Sequence, residues 1–211
     1  MTPTTVKGRR DARTRAQRDR ILDAAQKCFT ERGFHGASMA MIADTAQMSP
    51  GLIYRYFAGK SELIHGIVSR QIELMADDLD AFKSGERDAI DLIVDRFREG
   101  TAVCITGAAP AQLLEPALVL EIVAESGRDP IIANALDTLD RHIDDALGDW
   151  LSRPIEQGGL GVPTQHLPAR ILVMRSLLDG LKMRQARHPD MDPDLLRAAL
   201  GGALRGLRVD H

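Results

Sequence analysis

Apolar positions along this chain recur every three or four residues and almost never in strict alternation, so helices are predicted from end to end. Ile21, Leu22, Ala25, Cys28 and Phe29 share one face of a first helix from about Arg13 to Arg32, and Gly33 is placed to stop it. Ser38 caps a second helix whose apolar face is Met39, Ile42, Ala43 and Ala46. Ser49 caps a third, with Pro50 at the first helical position, where a missing N–H costs nothing. That short helix ends in Tyr54, Arg55, Tyr56 and Phe57. A fourth runs from Lys60 to about Phe82 through Leu63, Ile64, Ile67, Val68, Ile72 and Met75, until Ser84-Gly85 breaks it. Five more follow: about Asp88 to Thr106, Ala111 to Ser126, Pro130 to Gln157, Pro168 to Arg187, and Pro193 to Leu207. Gly107 to Pro110 forms a break, Pro116 predicts a kink or restart, and 161–168 is a Pro/Gly loop. The expected fold is all-α, with about nine helices.

Residues 38–63 carry the functional signal. Two short helices joined by a turn of about four residues fit a protruding second helix into the major groove of DNA. Leu52, Ile53 and Phe57 can face inward, which leaves Tyr54, Arg55 and Tyr56 outward. Tyrosine hydroxyls bond phosphates, and an arginine fork suits guanine O6 and N7. Gly51 lets a backbone approach closely. Lys60 opens the next helix, where free N–H groups also favour phosphate.

The run Ile21, Leu22, Ala24, Ala25, Phe29, Arg32-Gly33-Phe34, Ser38, Ile42, Ala43, Ala46, Ser49, Gly51, Ile53, Tyr54, Tyr56, Phe57, Lys60, Glu62, Leu63 resembles the DNA-binding domain of the tetracycline-repressor (TetR) family of bacterial regulators. The likeness covers roughly residues 13–66. Gln47 stands where the family usually has a turn glycine, and a left-handed residue there costs about 1 kcal/mol. Ala40 and Pro50 replace residues that are often polar or charged near phosphate. The resemblance implies a DNA-contact set of Ser38, Ser49, Pro50, Gly51, Leu52, Tyr54, Arg55, Tyr56 and Lys60. It also implies a body, 67–211, that binds a small effector and forms a homodimer. LEIVAESGRDP and LLDGLKMRQARHPDMDP look like body segments of the same family, less specifically than the front end.

Charge changes the picture modestly. Residues 1–62 hold 11 Lys+Arg against 6 Asp+Glu, and the rest 16 against 24. A basic front on an acidic body fits DNA contact at one end. Residues 1–12 read as a flexible basic arm, either along DNA or simply solvated. Cys28 and Cys104 cannot form a disulfide framework, and no signal peptide or spanning run appears, so a cytoplasmic location is expected, with no membrane partner.

Catalytic patterns are missing: no GxSxG, HExxH, GxGxxG or CxxC pair occurs. Gly59-Lys60-Ser61 resembles the end of a P-loop, but the first glycine would fall at Tyr54 and no strand precedes it. The six histidines lack ligand spacing, and Asp77, Asp78 and Asp80 read as a solvated face, so no metal or other cofactor is expected. Candidate pocket groups are Phe97, Cys104, Gln112, Glu115, Glu121, Trp150, Met174 and Arg175, each with an ordinary core or surface reading beside it. Helices eight and nine carry surplus apolar positions, from which Ile171, Leu178, Leu181, Leu196, Leu200 and Leu204 are assigned to a dimer interface; an intramolecular core is the rival. The reading is a non-enzymatic, ligand-responsive regulator, a repressor released from a palindromic operator by a small, largely apolar effector. Redox- or metal-responsive regulation on the same scaffold, or ligand-independent DNA binding, are the alternatives.

Overall fold

The computed structural model describes residues 3–83, 88–100 and 114–207. Its helices are α1 (Pro3–Gly36), α2 (Met39–Ala46), α3 (Pro50–Tyr54), α4 (Lys60–Lys83), α5 (Ala89–Arg98), α6 (Pro116–Ser126), α7 (Pro130–Ser152), α8 (Leu167–Arg187) and α9 (Pro193–Leu207). Among the described residues no strand occurs. None of the described helices is long and apolar enough to cross a membrane.

Several boundaries differ from the sequence expectation, among them α3, which ends at Tyr54 with Arg55 as its C-cap. Helix α1 begins at Pro3, so residues 3–12 of the expected flexible arm are helical. Helix α7 ends at Ser152, because the residue before Pro154 is driven out of the helical region: Arg153 has φ −60° and ψ 141°. Residues 155–157 then make a separate 3-10 turn. Helix α5 ends at Arg98. The Gly107–Pro110 break and the candidates Cys104 and Gln112 lie outside the described residues. Helix α6 has Pro116 in its first turn, and its expected start near Ala111 lies outside the described residues.

Gly33 interrupts α1 with φ 73° and ψ 165°, a left-sided conformation that glycine adopts without penalty. The chain turns there into α2. Gly66 lets α4 pass close to the front end: a Cβ on it would lie 2.9 Å from Leu22 and 3.0 Å from Phe57.

Two apolar cores result. One joins α5, α7, α8 and α9 around Leu147, Ile93, Met174 and Leu200. The other contains Ile21, Phe29, Ile42, Ile53, Leu63 and Ile67 of α1–α4. It continues into Leu118 and Ile122 of α6 and Ile132 and Ala135 of α7. The packing boundary therefore does not follow a sequence boundary near residue 66. Leu139 of α7 touches both cores.

Candidate nucleic-acid interface

The helix-turn-helix is built by local capping. Ser38 Oγ accepts from the Met41 amide at 3.2 Å, and Ser49 Oγ accepts from the Leu52 amide at 3.3 Å. Each satisfies one of the free N–H groups that open a helix. Gln47, in the turn between them, adopts the left-handed conformation, φ 53° and ψ 47°, at the position where the family usually has glycine. Its amide and that of Met48 close the end of α2 on Asp44 and Ala43 carbonyls at 3.0 and 2.9 Å. Met48 is half-buried against the core, which holds the turn in place.

Helix α3 buries Ile53 and Phe57 beneath it and presents Ser49, Pro50, Gly51, Tyr54 and Arg55 to solvent. Tyr54 leaves 55% of its surface exposed. Leu52 is half-buried. No atom stands within 4 Å of a Cβ placed on Gly51, so the start of α3 is open to an incoming backbone.

The outward trio of the sequence reading divides here. Tyr54 and Arg55 face solvent, whereas Tyr56 is half-buried and its hydroxyl donates to Gln17 Oε1. Lys60 is also committed within the chain. Its Nζ donates to the Phe34 carbonyl at 2.6 Å and the Ala37 carbonyl at 3.1 Å, and lies 4.6 Å above the Phe34 ring. Three α1 residues not singled out from the sequence brace the motif. Arg20 donates to the Ala46 carbonyl at 2.8 Å, Arg18 lies over the Phe57 ring at 4.7 Å, and Gln17 holds Tyr56. The available signal was the cluster of long polar side chains just ahead of the first apolar position, Ile21.

The expected effector residues do not converge. Phe97, Trp150 and Met174 lie in the core of α5, α7, α8 and α9. Glu115 is an exposed residue ahead of α6, and Glu121 bonds the Phe34 amide. Arg175 pairs with Asp140, and its Nε stands 3.4 Å from Asp144.

Most of the residues assigned to a dimer interface pack within the protomer. Leu178, Leu181, Leu196, Leu200 and Leu204 are 1–8% exposed in the protomer's own core, and Ile171 packs against that core. Helical periodicity identified an apolar face but could not say which neighbour it meets. The apolar side chains left exposed on the same helices are Leu172, Val173, Met183 and Leu195.

Residues 21–67 match the model of bacterial regulatory proteins of the tetR family. The chain is 38% identical over 121 residues to the HTH-type transcriptional regulator UidR of Escherichia coli strain K12, covering 56% of each chain. In that comparison it spans little more than half the relative's length. It is 26% identical over 178 residues to the HTH-type transcriptional repressor AcnR of Corynebacterium diphtheriae, covering 83% of this chain and 84% of that one. The solved structure of Salmonella enterica GusR superposes with a TM-score of 0.63 at 27% identity, over 90% of this chain and 96% of GusR. With its helix-turn-helix, its left-handed turn and its exposed Tyr54-Arg55 pair, the front end of the chain, residues 21–67, is a DNA-binding domain of the tetR-family type.

Proposed function

We propose that this DNA-binding regulator acts as a homodimeric repressor that leaves a palindromic operator when a small molecule occupies its body. The observation that carries the reading is the exposed Tyr54-Arg55 pair on a helix whose inner face is fully packed. Such a helix enters a major groove without disturbing its own core. Arg55 reads a base edge, Tyr54 holds a phosphate, and the amides around Ser49 to Gly51 meet the sugar-phosphate backbone. Ser38 and Ser49 contribute mainly by fixing the two helices through their caps.

Dimerisation is supported by the exposed apolar positions of α8 and α9. Leu172, Val173 and Met183 share one side of α8, and Leu195 lies exposed on α9. A two-fold pairing of these helices would cover them, and would match operator symmetry to protein symmetry. Repression follows the resemblance to AcnR, a repressor by name.

Effector release is supported by the continuity of the second core from α1–α4 into α6 and α7. A ligand that displaces α6 or α7 has a packed route to the recognition helix, and can shift binding only by its differential affinity for the two states. The test is selection of bound duplexes from a randomised pool, followed by the same selection with body-binding compounds found by thermal shift. A two-fold symmetric site weakened by a stabilising compound is the expected result. An asymmetric site, or one indifferent to every stabilising compound, would remove the reading.

A further inference from the structure

Apart from the DNA-binding face, a cleft of about 540 Å³ opens between the start of α5, the loop after α7, and α9. Ile90, Trp150, Leu160 and Leu204 line it. Its floor is fixed by hydrogen bonds. The Trp150 indole N–H donates to the Gly158 carbonyl at 3.1 Å. The Gly161 and Val162 amides donate to Arg153 and Leu151 carbonyls, each at 2.8 Å. Ile155 stands at the rim with 54% of its surface exposed.

Helix α9 widens the cleft by lacking a side chain. Gly201 lies in the middle of α9, where glycine costs about 1 kcal/mol relative to alanine. A Cβ on it would meet Arg205 Nη1 at 3.5 Å and Ile90 at 3.9 Å. The Arg205 guanidinium therefore folds back over Gly201 into the mouth of the cleft. Among the described residues no carboxylate pairs with Arg205. The other charge on the lining, Asp88, caps α5 by accepting from the Ile90 and Asp91 amides at 2.7 and 3.3 Å.

We propose that this cleft binds a small ring-bearing monocarboxylate, its ring against Ile90, Trp150 and Leu204 and its carboxylate on the Arg205 fork. Arginine recognises carboxylates through two parallel hydrogen bonds. Ile90, Trp150 and Leu204 supply an apolar wall for the ring, and Arg205 supplies the charge that favours an anion over a neutral molecule of the same shape. The site stands independently of how the effector releases DNA.

Trp150 is the sole tryptophan, so its emission reports the cleft directly. Cyclohexanecarboxylate, which does not absorb with the indole, is titrated into the full chain, with cyclohexylmethanol as the neutral comparison. The expected result is a saturable change in Trp150 emission with a parallel rise in Tm, at least about fivefold tighter for the carboxylate. Arg205→Gln should erase that preference while leaving Tm without ligand unchanged. Gly201→Leu, which fills the cleft, should abolish both responses. No saturable change, or an unaltered carboxylate preference in Arg205→Gln, would overturn the assignment. So would unchanged binding in a folded Gly201→Leu variant, because the ligand would then sit elsewhere.

Discussion

The main-chain amide of Phe34 donates to the carboxylate of Glu121 at 2.6 Å, joining residues 87 positions apart. Two further carboxylates follow at four-residue steps. Glu125 Oε1 lies 2.9 Å from His35 Nε2, and Asp129 accepts from the Ser61 hydroxyl. The end of α6 and the start of α7 thus hold the α1–α2 corner and the beginning of α4 together. These bonds tie α6 and α7 to the α1–α4 bundle.

Glu121→Ala removes the charged acceptor from a half-buried amide. A hydrogen bond to a charged group is worth about 1.5–3 kcal/mol, and the partial exposure of both groups places this one near the lower end. Urea unfolding should show a loss of about 1–2 kcal/mol. Calorimetry should also show weaker cooperation between the two cores, as a broadened or split transition. An unchanged, single sharp transition would mean that apolar packing alone joins them.

Lys60→Ala tests a second structural bond. Removing the ammonium leaves the Phe34 and Ala37 carbonyls without their shared donor and uncovers the Phe34 ring. The expected cost is about 1–3 kcal/mol, read by urea unfolding without DNA. If stability is unchanged while the salt dependence of DNA binding falls by about one counterion, Lys60 serves phosphate instead.

The front end was legible because its determinants are local. Ser38, Ser49 and Pro50 announce helix starts, which the structure has, and the turn residue Gln47, at the position where the family usually has glycine, is left-handed. The body was legible only as helices. Leu178 and Leu200 lie on apolar faces in either reading, and periodicity does not say whether the facing helix belongs to the same chain. Tyr56 and Lys60 show the same limit in polar groups. Their partners, Gln17, Phe34 and Ala37, are brought near by the turn at Gly33 and by α4, beyond the reach of sequence spacing.

Acid sensitivity should be traceable to Asp129. The Ser61 hydroxyl, ahead of the Ile131 and Ile132 amides, holds its carboxyl below the ordinary value of 3.8 despite an opposing desolvation. A depressed folded-state value contributes stability above the unfolded-state pKa, and that contribution is lost as pH falls through the folded-state value. Tm should therefore fall between about pH 4 and pH 2 more steeply in the parent than in Asp129→Asn or Ser61→Ala. Superimposable Tm–pH curves would show that other carboxylates dominate the acid response.

The exposed face of α8 gives a direct test of assembly. Leu172 and Val173 leave 66% and 51% of their surface exposed. Leu172→Arg should shift the particle from dimer to monomer in sedimentation velocity, because burying an unpaired charge costs several kcal/mol. The same substitution at Leu200, a core position, should instead unfold the protomer. A Leu172→Arg protein that still sediments as a dimer would move the interface to another face.

The recognition helix yields the sharpest separation of roles, since its polar groups are differently committed. Tyr54 is exposed, and no hydrogen bond of its hydroxyl occurs among the described residues. Tyr54→Phe should weaken binding to every duplex by a similar factor, about fivefold for one lost phosphate bond, with folding stability unchanged. Tyr56→Phe loses the Gln17 bond and should lower stability by about 1 kcal/mol. Arg55 is the sole long cationic side chain on this exposed segment. Arg55→Ala should erase about 1–3 kcal/mol of discrimination at one base pair per half-site. A base-by-base scan on the selected operator distinguishes these outcomes, because loss of a phosphate contact lowers the whole profile while loss of a base contact flattens one column. If Tyr54→Phe flattens a column and Arg55→Ala lowers the profile uniformly, the two residues exchange roles, and α3 must lie in the groove rotated from the orientation assigned.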